Sequence, residues 1–177
     1  MSQAPVATNR EIKLNTDEFI VSKTDLNSNI LYINRVFMQI SGFSEIELIN
    51  KPHNMIRHPE MPKGVFRLFW NEISAGNEFL GYVKNLCKDG SYYWVFAHVT
   101  PDRDIDGNVT GYYSARRAPT RKAVETMDNI YKEMLKIEKT HPHDKSCSAS
   151  LAFLEETISK MGLSYFQLVQ QLDTSEG

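Results

Sequence analysis

The sequence has little cysteine: Cys87 and Cys147 are the only two in 177 residues. Two thiols so far apart support neither a disulfide framework nor a cysteine metal cage, and they fit a reducing cytoplasm. No charge dominates either. Twenty Lys and Arg stand against 22 Asp and Glu, for a net charge of -2, so no basic stripe marks a nucleic-acid binder. No apolar run approaches the ~18–20 residues of a membrane span. Met1 to Arg10 lacks a basic segment followed by an apolar one, so no secretory signal is expected. Gly-rich phosphate loop, HExxH and nucleophile elbow are all missing, which points away from an enzyme. Internal repeats and low-complexity segments are missing too.

What is present suits one folded domain, since 41% apolar residues supply one core. Residues 1–17 are polar and aperiodic, an N-terminal arm or cap. A hairpin follows. Phe19–Lys23 and Ile30–Ile33 are rich in strand formers, and Asp25 to Asn29 supply turn chemistry. Asn34 is placed to cap a short helix that Gly42 stops. Ser44 and Glu47 have capping-box spacing for another, running to about Ile49. Lys51 to Glu60, with two prolines and two histidines, is a loop or one irregular turn. Pro62 opens a longer helix, with Val65, Phe66, Phe69, Trp70 and Ile73 on one wide face, ending near Gly76. Three strands come next, Glu78–Cys87, Ser91–Pro101 and Asn108–Arg117, and Asp89-Gly90 is a strong hairpin signal between the first two. From Thr120 the pattern is helical: to Lys139, then Ser148 to Met161 after a break at His141–Asp144, then Ser164 to Leu172. This order predicts an α+β fold, a five-stranded antiparallel sheet with short helices on one face and a C-terminal helical tail.

Several segments resemble one family. Asn34 to Ser44 (NRVFMQISGFS) has the pattern of a PAS domain, in which Asn starts a helix and a Gly-aromatic pair ends it. Lys84 to Gly90 with Tyr93-Trp94-Val95 resembles the PAS strand-turn-strand. Gly111-Tyr112 and Arg117 to Thr120 resemble its last strand and exit. The most particular segment, His53 to Lys63 (HNMIRHPEMPK), resembles the loop of PAS domains from bacterial aerotaxis receptors, where Asp is common at the position of Glu60. The resemblance covers roughly residues 18–120 and leaves 121–177 as a helical tail. It implies FAD held noncovalently between helices and sheet, and a role in redox or energy taxis. Aerotaxis receptors continue into membrane helices and a coiled-coil module. This chain has neither, so it is expected to be a soluble, cytoplasmic sensor chain that reports by contact to a separate chemotaxis transducer.

Carried over residue by residue, the resemblance puts the flavin against His53, Arg57, His58, Glu60, Trp70 and Asn85. Each residue type has a second use. Asn85 offers a donor and acceptors to a flavin edge, or satisfies a sheet edge. Trp70 packs on the ring system or is a core aromatic. Arg57 binds a phosphate or pairs with a carboxylate such as Glu60. His58 donates to the flavin or holds the loop, and His53 contacts the flavin or caps a helix. Two departures concern the photoactive relatives of this fold. They need a Cys near residues 53–58, where this chain has none, and a second Asn where this chain has Val95. A cysteinyl-flavin photocycle is not expected, and the flavin would lean more on the loop and on its dinucleotide part. Haem on His53, His58 or His98 is the competing ligand. A cofactor-free interaction module is the third reading.

In the strand Ser91–Pro101, Tyr93, Val95, Ala97 and Val99 alternate with Tyr92, Trp94, Phe96 and His98. Both faces therefore need cover. The first set is expected to face helices and ligand. The second would be covered by the chain's own arm or tail helices, or by another protein, in a homodimer for example.

Overall fold

A computed structural model describes residues 5–174. Its elements are β1 (Ile20–Asp25), β2 (Ile30–Ile33), α1 (Arg35–Ser41), α2 (Glu45–Leu48), a 3-10 turn at His53–Ile56, α3 (Lys63–Ser74), β3 (Phe79–Leu86), β4 (Tyr92–Arg103), β5 (Val109–Arg117), α4 (Arg121–Thr140), α5 (His143–Lys160) and α6 (Tyr165–Thr174). The strands form one sheet in the order β2-β1-β5-β4-β3. Every pairing is antiparallel.

Local chemistry sets most boundaries. The Asp25 carboxylate accepts from the N–H groups of Asn27 and Asn29 and closes the β1–β2 turn. Asn34 Oδ1 accepts from Phe37 N–H and Val21 N–H, each at 3.1 Å, so one side chain caps α1 and pins it to β1. Gly42 ends α1 at φ 73°. Ser44 N–H donates to the Glu47 carboxylate, completing the box at α2. Gly90 turns β3 into β4 at φ 86°.

One boundary differs from expectation. α5 begins at His143, well before Ser148, so the helical break is His141-Pro142 alone. Pro142 carries extended ψ and sits at the N-cap, where its missing N–H costs nothing; it starts the helix instead of separating two.

The period-2 alternation of β4 divides the core into two layers. Tyr93, Val95 and Ala97 join Ile20, Ile30, Phe37, Leu48 and Ile56 beneath α1 and α2. Trp94 and Phe96 join Tyr82, Val124, Met127, Tyr131, Leu154 and Val169 under the C-terminal helices. The outer face is therefore covered by this chain's own tail, with Trp94 stacked on Tyr131. The arm also docks. Ile12 N–H donates to the Tyr92 carbonyl, and Tyr92 N–H to the Arg10 carbonyl, along the part of β4 that β5 does not reach. No helix among the described residues is long and apolar enough to cross a membrane.

Candidate functional site

A cavity of about 250 Å³ opens between α3, the 3-10 turn and the inner face of β1, β3, β4 and β5. One wall is apolar: Val65, Phe66, Phe69 and Trp70 from α3, facing Phe79, Val83, Ala97 and Val99 from the sheet. The polar part of the lining comprises Ser22, Thr24, Ser28, His53, Asn54, Ser114 and Arg116 on the β1 and β5 side, with Arg57 and Asn85 at the β3 edge. Phe66, Phe69 and Trp70 are only half-buried, because the α3 stripe meets open space where a core helix would meet side chains.

Of the six residues singled out in the sequence, His53, Arg57, Trp70 and Asn85 line this cavity. His58 and Glu60 do not. The reason is alternation. Arg57 forms an antiparallel bridge with Asn85, so the loop runs along the free edge of β3 as a short strand. Arg57 then points inward, and His58 points to the other side. There His58 packs edge-on against Tyr92 at 5.6 Å. Glu60 pairs with Lys84, also on the outer face, and not with Arg57. Arg57 instead lies 3.5 Å above the Phe66 ring, joining the loop to α3. Trp70 is edge-on to Phe69 and Tyr112. Asn85 is buried and lines the cavity from β3.

The electrostatics of the polar lining are one-sided. Its charged side chains are Arg57 and Arg116; no Asp or Glu lines the cavity. Burial, helped by Arg116 and Arg57, pushes His53 down to about 3, so its imidazole is neutral and holds Ser22 Oγ at 3.4 Å. Burial also lowers Arg116, to about 10, which leaves it a cation. The buried Arg57 Nε, Arg116 Nε and Arg116 Nη1, on residues that line the cavity, have no hydrogen-bond partner. Such groups are rare inside proteins, and in a cavity they await a ligand.

Sequence reasoning overlooked Ser22, Ser114, Tyr112 and Arg116. The signal was in β5: Tyr112, Ser114 and Arg116 share one face by period 2, and the pairing of Ser22 with Ser114 brings β1 beside them. Of the histidines considered for haem, His53 lines the cavity while His58 and His98 lie elsewhere. His98 meets Glu78 at 2.7 Å at the surface. Cys87 is buried, its thiol donating to the Ile40 carbonyl, away from the cavity.

Comparison with known proteins agrees with this architecture. Residues 30–116 match the family described as PAS fold. The chain is 38% identical to the aerotaxis receptor of Escherichia coli K12 over 134 residues, which is 76% of this chain and 26% of the receptor. It is 30% identical to the bacterioopsin transcriptional activator of Halobacterium salinarum over 52% of this chain and 14% of that protein. The chain thus spans 26% and 14% of these two relatives' lengths. Among solved structures, the PAS domain of a Colwellia psychrerythraea protein superposes with TM-score 0.50 at 24% identity, over 58% of this chain and 87% of that one. The blue-light photoreceptor aureochrome1 domain superposes with TM-score 0.53 at 21% identity, over 69% and 93%. At such identities the structures establish the fold. With the sequence match added, residues 30–116 of this chain belong to the PAS fold family and are related to the aerotaxis receptor.

Proposed function

We propose that this chain is a flavin sensor, which holds FAD noncovalently in the cavity and reports the redox state of its surroundings by protein contact. The observation that carries this is the division of the cavity lining between aromatic side chains and polar ones, with buried, unpartnered arginine nitrogens among the latter. A flavin ring has the same division, apolar faces and one edge of donors and acceptors. The likeness to the aerotaxis receptor supports it. The cavity's volume lies just below the roughly 300–1,000 Å³ of ordinary ligand pockets, so it suits the ring, with the rest of the dinucleotide extending past its mouth.

A bound flavin supplies reversible electron uptake. The protein's part is to hold and to report. Trp70, Phe66 and Phe69 exclude water from the ring faces. Asn85, buried on β3, satisfies the polar edge. Arg57 joins the β3 edge to Phe66 on α3, so a change at the polar lining reaches both elements. No catalytic group is needed for such a role. The receiving partner is a chemotaxis-type transducer, met in the cytoplasm.

Purified protein is expected to be yellow, or to become yellow with added FAD, and to bleach on reduction. Asn85→Ala is expected to weaken flavin retention about tenfold or more while the fold persists, since buried edge groups would lose their partner. A colourless chain that refuses FAD would sink the proposal. A sharp Soret band would instead favour haem, for which neutral His53 is the available ligand.

A further inference from the structure

α3 begins without a cap of its own. Pro62, at its N-cap, offers no side-chain acceptor, and the first turn holds no acidic residue. The first N–H groups of a helix have no partner within it, and a cap side chain ordinarily serves the second or third helical position. Here the second position is Gly64, and its N–H donates to Glu138 Oε1 at 3.0 Å. Glu138 belongs to the last turn of α4, in the tail. On its own helix a carboxylate there is badly placed, because it lies at the negative end of the dipole; at the start of α3 it meets a positive one. No ion pair among the described residues includes it. The same oxygen accepts from Ser150 Oγ of α5 at 2.7 Å, and Ser150 is fully buried. One carboxylate thus ties the start of α3 to both α4 and α5.

We propose that Glu138, steadied by Ser150, is the N-terminal cap of α3, supplied by the tail in place of the side chain that Pro62 lacks, and that docking of the tail and order of the cavity wall are therefore one coupled equilibrium. Val65, the residue after Gly64, lines the cavity, and Phe66, Phe69 and Trp70 follow on the same helix. A ligand that fixes this wall holds the start of α3 in place and with it the tail. Anything that draws α4 and α5 away uncaps α3 and loosens the wall, and the two effects are equal in size because such coupling is reciprocal. Glu138 is a positioning residue: it acts on the cavity through α3 and does not line it. The cap rests on no ligand. The coupling rests on the flavin reading above.

The test is amide exchange of the full chain, resolved by residue. Without ligand, Glu138→Ala is expected to speed exchange at Gly64 by about fivefold or more while β4 keeps its rates. The Ser150 hydroxyl retains a second acceptor, the Cys147 carbonyl at 3.1 Å, so this variant strands no buried hydroxyl. Glu138→Gln keeps an acceptor oxygen and should restore most of the protection. Ser150→Ala acts through Glu138, so it should add little to Glu138→Ala in the double variant. Wild-type protein gives a second reading. Saturating FAD should slow exchange in α5 around Ser150 as well as in the first turn of α3, with α2 unchanged, and Glu138→Ala should lose most of the α5 response. A residue that merely stabilised the fold would leave that response intact. Unchanged exchange at Gly64 in Glu138→Ala overturns the cap, and so does a loss of protection that is equal in Glu138→Ala and Glu138→Gln. An α5 response that persists undiminished in Glu138→Ala overturns the coupling. In each of these cases the flavin reading survives. A wild-type chain that takes up no flavin overturns that reading and the coupling with it, while exchange in the ligand-free chain still decides the cap.

Discussion

His53 and His58 are neighbours in sequence but sit in different environments, and both are held neutral. His53 is depressed from 6.5 to about 3, first by burial and then by the cations Arg116 and Arg57. His58 is depressed to about 4, first by burial and then by Lys84. In the unfolded chain both would protonate near the ordinary value. Between that value and the depressed one, the unfolded state binds more protons than the folded state. Stability must then rise with pH across this window. The contribution is complete above about pH 6.5 and is lost as pH falls toward 4 and then 3. Urea midpoints measured from pH 7.5 to 4.5 are expected to fall, and His53→Gln should flatten that fall relative to the wild type. A wild-type midpoint that is level across this range would refute the assignment. Neither Cys87 nor Cys147 lines the cavity, so blue light is expected to leave no lasting flavin adduct, as followed by absorbance after illumination.

At the scale of elements, α3 has two obligations. One face presents Phe66, Phe69 and Trp70 to the cavity, and the other packs on α5. The close approach is at Gly64. A Cβ there would meet Ser150 Oγ at 2.4 Å, Leu151 N at 2.8 Å and Met134 Cε at 3.0 Å. Gly64 N–H also donates to Glu138 Oε1, which accepts from Ser150 Oγ as well. Gly64→Ala should therefore force α3 and α5 apart and cost about 1–3 kcal/mol, seen as a lower urea midpoint with an unchanged slope. Flavin retention should fall with it, because the cavity wall moves. The elements themselves were legible where their signals are local. Asn34, Gly42, Ser44 with Glu47, and Asp89-Gly90 each act within a few residues, so reading along the chain finds them. The site was legible only in part, because it is assembled across the sheet. Ser22 meets Arg116 through the pairing of β1 with β5, and no local pattern announces that meeting. His58 and Glu60 share a segment with Arg57, but one bridge to Asn85 sends their side chains to the opposite face. Gly64 gave no signal because its partner lies in α5, outside the resemblance.

At the scale of the whole molecule, the cavity and the helical tail share walls. Val65 lines the cavity and also belongs to the core under the C-terminal helices. Tyr131 on α4 donates to the Tyr82 carbonyl on β3 at 2.7 Å, and the Tyr82 hydroxyl donates to the Val169 carbonyl on α6 at 3.3 Å. On β5 the alternation is starker: Arg116 faces the cavity while Arg117, one residue on, holds Asp173 of α6 at 2.5 Å. A strand that shifts to follow a change at Arg116 moves Arg117 with it. The tail thus covers the sheet and is tied to β5 through Arg117, and removing it should be informative. A chain ending at residue 120 would expose Trp94, Phe96 and Tyr82 together, an apolar patch of the sort that drives association. It would also strip α3 of its support at Gly64. We expect this truncation to self-associate in sedimentation and to retain flavin more weakly than the full chain. In the full chain, reduction of the flavin should change amide exchange in α6 and the end of β5 more than in α2, which touches neither the cavity nor the tail. Equal exchange in both redox states along β5 and α6 would mean that the signal leaves by another route.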